Sequence, residues 1–172
     1  MSAERILALT RLVPDYPRPG VMYQDLTPVL ADGPAFMATV DALIEPFTGA
    51  FDVVAGVEAR GFALAGAAAM RAGAGMLLIR KAGKLPGATH GTDYELEYGR
   101  DRLEVQAAQF PPGTRVLIVD DVLATGGTLA AAAGLVEAAG WRVAGLSVVV
   151  GIAALGGQER LAGRPVHAVV TR

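Results

Sequence analysis

The sequence predicts an α/β fold: an open, mostly parallel twisted sheet flanked by helices. Three observations carry this. Short apolar runs, such as Val116-Leu117-Ile118-Val119 and Val143 to Val150, alternate with alanine-rich stretches of helical length. The runs are continuously apolar rather than alternating, as strands covered on both faces are. Glycine and proline punctuate the boundaries. At 172 residues the chain fits one domain with a substantial core.

The elements follow in order. Residues 3 to 12 read as a short amphipathic helix with Ile6, Leu7 and Leu9 apolar. Asp15 to Pro28 is turn-rich, broken by Pro17, Pro19 and Gly20. Pro34 to Phe47 is a helix with proline near its start. A strand at Asp52 to Gly56 precedes the loop Val57-Glu58-Ala59-Arg60-Gly61, and a helix from about Phe62 to Ala72 stops at Gly73. Gly75 to Arg80 is the next strand. Residues 81 to 101 are charged and glycine-punctuated, too long for an ordinary connection and therefore a candidate lid. Leu103 to Gln106 is a short strand, and Pro111-Pro112-Gly113 is a turn before the strand at 115–119. A helix from about Gly127 to Ala139 stops at Gly140, and Val143 to Val150 closes the core; 151–172 is a C-terminal segment.

Composition excludes several classes. The net charge of -2 gives no reason to expect a nucleic-acid surface, and the absence of cysteine removes disulfides and thiol metal sites. The uncharged stretch Val143 to Gly157 has 15 residues, fewer than the ~20 a membrane-spanning helix needs. Met1-Ser2-Ala3-Glu4-Arg5 lacks the layout of a signal peptide. A cytoplasmic protein with no membrane contact is the expectation.

The run Val116 to Thr128 carries the most chemistry. An apolar strand ends in Asp120 and Asp121, a turn Ala124-Thr125-Gly126-Gly127-Thr128 follows, then a helix. Backbone amides at a helix start suit a phosphate, and paired acids suit sugar hydroxyls. The run lacks the Gly-Lys-Ser/Thr of a Walker A loop and the Gly-x-Gly-x-x-Gly of a dinucleotide fold. Successive side chains of a regular strand point to opposite faces, so either the backbone turns at the acids or one acts indirectly. Arg60, in a small-residue loop after a strand, offers a bidentate cation. His90 and His167 have no ligand partner at metal spacing.

This run resembles the phosphoribosyl-diphosphate signature of the type I phosphoribosyltransferases. Pro19 to Pro28, Ala55 to Phe62, Ile79 to Gly87 and Tyr94 to Gly99 are similar, in the same order, to the adenine-specific branch of that family. Leu155-Gly156-Gly157 fits it more weakly. The resemblance implies a reaction in which adenine and 5-phosphoribosyl 1-diphosphate give AMP and diphosphate, with Mg2+ held by substrate and water rather than directly by the protein. It implies that Ala124 to Thr128 hold the 5-phosphate, that Asp120 and Asp121 contact the ribose hydroxyls, and that Arg60, Arg80, Lys81 and Lys84 bind the diphosphate. Adenine would lie against Met22, Tyr23, Gln24 and Val122, the main chain of Met22 and Gln24 reading its edge; some relatives carry arginine where Gln24 stands. Glu97 would be the catalytic carboxylate, Tyr98 would close with the lid, and Glu58–Ala59 would be a cis peptide. A small N-terminal hood over about residues 1–33, covering the base, and a homodimer are implied as well. Two rival readings stand beside this one: the same chemistry on a 6-oxopurine, and a non-catalytic regulator that senses the sugar diphosphate.

Overall fold

Five parallel strands make the middle of the molecule. The computed structural model describes residues 3–96 and 99–172. In chain order the elements are α1 (Ala3–Leu9), β1 (Arg11–Pro14), β2 (Met22–Asp25), α2 (Thr27–Ala31), α3 (Gly33–Ile44), β3 (Val53–Val57), α4 (Arg60–Ala72), β4 (Gly75–Lys81), β5 (Thr89–Leu96), β6 (Gly99–Gln106), β7 (Arg115–Leu123), α5 (Gly127–Ala138), β8 (Arg142–Gly151), α6 (Gly157–Arg160) and β9 (Val166–Thr171). The sheet order is β5-β6-β4-β3-β7-β8-β9, and β1 and β2 form a separate antiparallel pair. β4, β3, β7, β8 and β9 are parallel, while β6 and β5 add antiparallel at one edge.

The period of two in β7 explains its central place. Val116 and Ile118 pack beneath α5 against Leu129, Ala132 and Val136. Leu117 and Val119 face the other way, against Leu43 of α3 and Leu64 and Ala65 of α4. All four are fully buried, each worth about 1.5–3 kcal/mol of transfer free energy. The helices have local reasons to start and stop. Asp32 accepts the Ala35 N–H at 2.9 Å and caps α3, and Gly73, at φ 65°, ends α4. No helix among the described residues is long and apolar enough to cross a membrane.

Two expectations need correction. The helix over 3–12 ends at Leu9; Thr10 donates both its amide and its hydroxyl to the Ile6 carbonyl, and residues 11–14 pair with 22–25 instead. A partner strand outweighs local helical periodicity there. Most of residues 81–101 are regular: the strands pair from Thr89 opposite Gln106 to Leu96 opposite Gly99. Strand pairing between separated segments leaves little mark on local composition. The C-terminal segment lays β9 along β8 at the far sheet edge.

Candidate active site

The strand ends converge as the alternation of strands and loops requires. β3, β4 and β7 are parallel neighbours, so the loops after them meet at one edge. There a cavity of about 520 Å³ is lined by Glu58, Arg60, Lys81, both aspartates of β7 and residues 122–129. The turn after β7 is held from below. Gly126 has φ +80° and sits against the backbone of Gly157, where a Cβ on Gly126 would lie 2.7 Å from the Gly157 carbonyl oxygen. Among the described residues no side chain caps the start of α5. Its first amides therefore face the cavity with the positive end of the helix dipole behind them, an anion site built from backbone.

The acids stay within the strand. β7 keeps its register with β8 through Asp120 opposite Val148 and Val122 opposite Val150. Both aspartates still line one cavity, because it wraps the end of the strand. Asp120 accepts the Asp121 amide and Asp121 accepts the Val122 amide, each at 2.9 Å. Asp121 is buried, and Arg60 Nε lies 2.7 Å from its Oδ2 at ion-pair distance without hydrogen-bond alignment. Burial, and then the charge of Asp121, push the Asp120 carboxyl well above its ordinary value. Burial also raises Asp121, against the pull of Arg60.

The basic residues divide into two groups. Arg60 and Lys81 line the cavity. Arg80 and Lys84 converge on Glu58: Arg80 Nε is 3.3 Å from Oε2, Lys84 Nζ bonds Oε1, and the Lys81 amide donates to Oε2 at 3.0 Å. Burial pushes the Glu58 carboxyl up, but these donors outweigh it and hold it below the usual range. Lys81 Nζ pairs with Asp101 at 2.9 Å, which raises the lysine and lowers the aspartate. The peptide Glu58–Ala59 is cis.

The hood meets the site at Arg60. Tyr23 lines a small adjoining cavity of about 70 Å³ with Arg60 and Asp121. Arg60 Nη1 bonds the Tyr23 hydroxyl, and Tyr16 packs edge-on against the Tyr23 ring at 4.9 Å. Met22 is half exposed, whereas Gln24 is buried with its Oε1 unpartnered. Val122 lines the main cavity. Glu97 and Tyr98 lie outside the described residues.

Residues 29–166 match the model of the phosphoribosyl transferase domain. An adenine phosphoribosyltransferase from Clavibacter michiganensis is 56% identical over 170 residues, covering 99% of this chain and 97% of the relative. The chain belongs to the adenine phosphoribosyltransferase family. The solved adenine phosphoribosyltransferase of Thermoanaerobacter pseudethanolicus superposes with a TM-score of 0.96 at 40% identity, covering 99% of this chain and 100% of that one. The Saccharomyces cerevisiae enzyme, crystallised with an imino-altritol bisphosphate and adenine, gives a TM-score of 0.91 at 33% identity, with 97% of each chain covered.

Within this phosphoribosyltransferase site the sequence reading passed over four residues. Arg18 and Tyr94 line the main cavity. Tyr94 shares this lining with Asp101 and Thr128, and burial raises its hydroxyl. Asp101 anchors Lys81, and Glu58 anchors Arg80 and Lys84. The alternation of acids and aromatics over 94–98 was the available signal for Tyr94; nothing local marked the others.

Proposed function

We propose that this cavity transfers the 5-phosphoribosyl group from 5-phosphoribosyl 1-diphosphate to adenine, giving AMP and diphosphate in purine salvage. The observation that carries the reading is one cavity in which an acid pair, an uncapped helix start and basic side chains stand together. In this reading the α5 amides and the hydroxyls of Thr125 and Thr128 hold the 5-phosphate, and Asp120 and Asp121 hold the ribose hydroxyls. The bond from ribose C1 to the diphosphate oxygen breaks as the bond to the purine nitrogen forms. Asp120 and Asp121 steady the positive charge that develops on the ribose, and Arg60, Arg80, Lys81 and Lys84 stabilise the departing diphosphate. Tyr23 and Val122 flank the base, the main chain of Met22 and Gln24 reads its edge, Glu97 takes the purine proton, and Tyr98 closes over it.

Magnesium is part of this proposal. Of the cavity's carboxylates, Glu58 is engaged by Arg80 and Lys84, Asp101 by Lys81 and Asp121 by Arg60, a donor set that suits an ion held mainly by substrate oxygens and water. Bound there, the ion supplies charge neutralisation on the diphosphate. A homodimer working in the cytoplasm completes the reading. Diphosphate release tests it: adenine should trigger release in the presence of the sugar diphosphate, whereas hypoxanthine and guanine should not. Release with a 6-oxopurine alone overturns the assignment of the base.

A further inference from the structure

The guanidinium of Arg60 makes three contacts at once. Its Nε faces Asp121 Oδ2 at 2.7 Å, its Nη1 donates to the Tyr23 hydroxyl, and its carbon lies 4.9 Å from the centre of the Tyr23 ring. Tyr23 belongs to the hood, Asp121 to the central strand, and Arg60 opens the helix after β3. One planar cation thus joins three separate elements. Lysine could not do this, because its ammonium is a point charge on a flexible stem.

The β1–β2 pair gains from such a tie. Among the described residues β1 and β2 pair only with each other, and every residue of β1 is exposed. An isolated two-stranded hairpin is marginal in water. A phenyl ring alone would cover a flat base equally well, so stacking gives the Tyr23 hydroxyl no role; the bond to Arg60 does.

We infer that Arg60 is a positioning residue for Tyr23: it fixes the ring that covers the base with the same guanidinium that neutralises Asp121, and so couples the base end of the site to the ribose end. The inference rests on the proposal that Tyr23 flanks adenine. It adds to Arg60 a role beyond that of a diphosphate ligand.

The test uses Tyr23→Phe, Arg60→Lys and the double variant, with steady-state kinetics in both substrates and amide hydrogen exchange of the unliganded protein. Removing a hydrogen bond to a charged donor should cost roughly tenfold. Tyr23→Phe is expected to raise KM for adenine by about that factor, leave KM for the sugar diphosphate near wild type, and speed exchange in residues 11–25 but not in α3. In the Arg60→Lys background, Tyr23→Phe should raise KM for adenine no further. An unchanged KM for adenine in Tyr23→Phe, or effects that multiply in the double variant, overturns the inference. If the wild type releases no diphosphate with adenine, the proposed function fails instead. The exchange rates of residues 11–25 then decide the tie alone: faster exchange in Tyr23→Phe upholds it, and unchanged exchange overturns it.

Discussion

Asp120 shows most clearly how the site stores cost for use. Its carboxyl is raised well above the ordinary 3.8 by burial and by the neighbouring charge of Asp121. The sign follows from linkage: a carboxylate raised on folding makes the folded state bind protons more readily, so its ionised form costs stability at neutral pH. That cost fades as pH falls through the raised pKa and is gone below about 3.8. Asp120→Asn keeps an acceptor for the Asp121 amide and removes the like charge. Its melting temperature at pH 7 should therefore rise by about 2–4 °C, a gain that vanishes in scans run toward pH 4. Turnover should fall by at least about 100-fold, as for loss of a preorganised electrostatic partner. A variant no more stable than wild type at pH 7 would contradict the electrostatic account of the pair.

At the scale of elements, α5 with its preceding turn is the unit proposed to bind the 5-phosphate, and α6 packs beneath that turn. A Cβ on Gly157 would stand 2.2 Å from the Ala124 carbonyl oxygen and 3.0 Å from the Gly126 amide. Gly157→Ala should push the turn away from α6 and raise KM for the sugar diphosphate by about tenfold or more. Strain of roughly 1–3 kcal/mol is the expected stability loss. Gly134, inside α5 with open space around it, is the contrasting case. Gly134→Ala should stabilise the helix by about 0.5–1 kcal/mol with unchanged kinetics. Thermal melts and kinetics of the two variants, side by side, separate a glycine that the site needs from one that the helix merely tolerates.

Across the whole molecule, the sheet order sets what lies next to what. β7 sits between β3 and β8, which brings the loop at 58–60 against the acids, and β4 delivers Lys81 to the same edge. In the proposed reading, magnesium arrives with the sugar diphosphate and is held mainly by its oxygens and water. A chelator should accordingly leave the melting temperature of the unliganded protein unchanged. The sugar diphosphate should stabilise by about 2.7 kcal/mol at a hundredfold excess over Kd, and only with magnesium present. A drop in unliganded stability on chelation would point to a resident ion and sink this division of labour.

Local sequence was enough for the parts that local physics decides. The central strands are legible because burial on both faces demands continuous apolar runs, as in Val116 to Val119. The turn after β7 is legible because close backbone approach demands glycine at 126, and Gly73 marks a helix end for a related conformational reason. Pairing between distant segments left no such mark. The hood strands, the β5–β6 hairpin and β9 depend on partners elsewhere in the chain, so residues 3–12 read as helix and 81–101 as loop. The same limit applies to charges. Composition showed that Arg60, Arg80, Lys81 and Lys84 are cationic; only the fold decided that Glu58 gathers two of them, that Asp101 takes Lys81, and that Arg60 joins Asp121 to Tyr23. Which acid meets which base is a matter of distance in space, and the tertiary structure alone determines it.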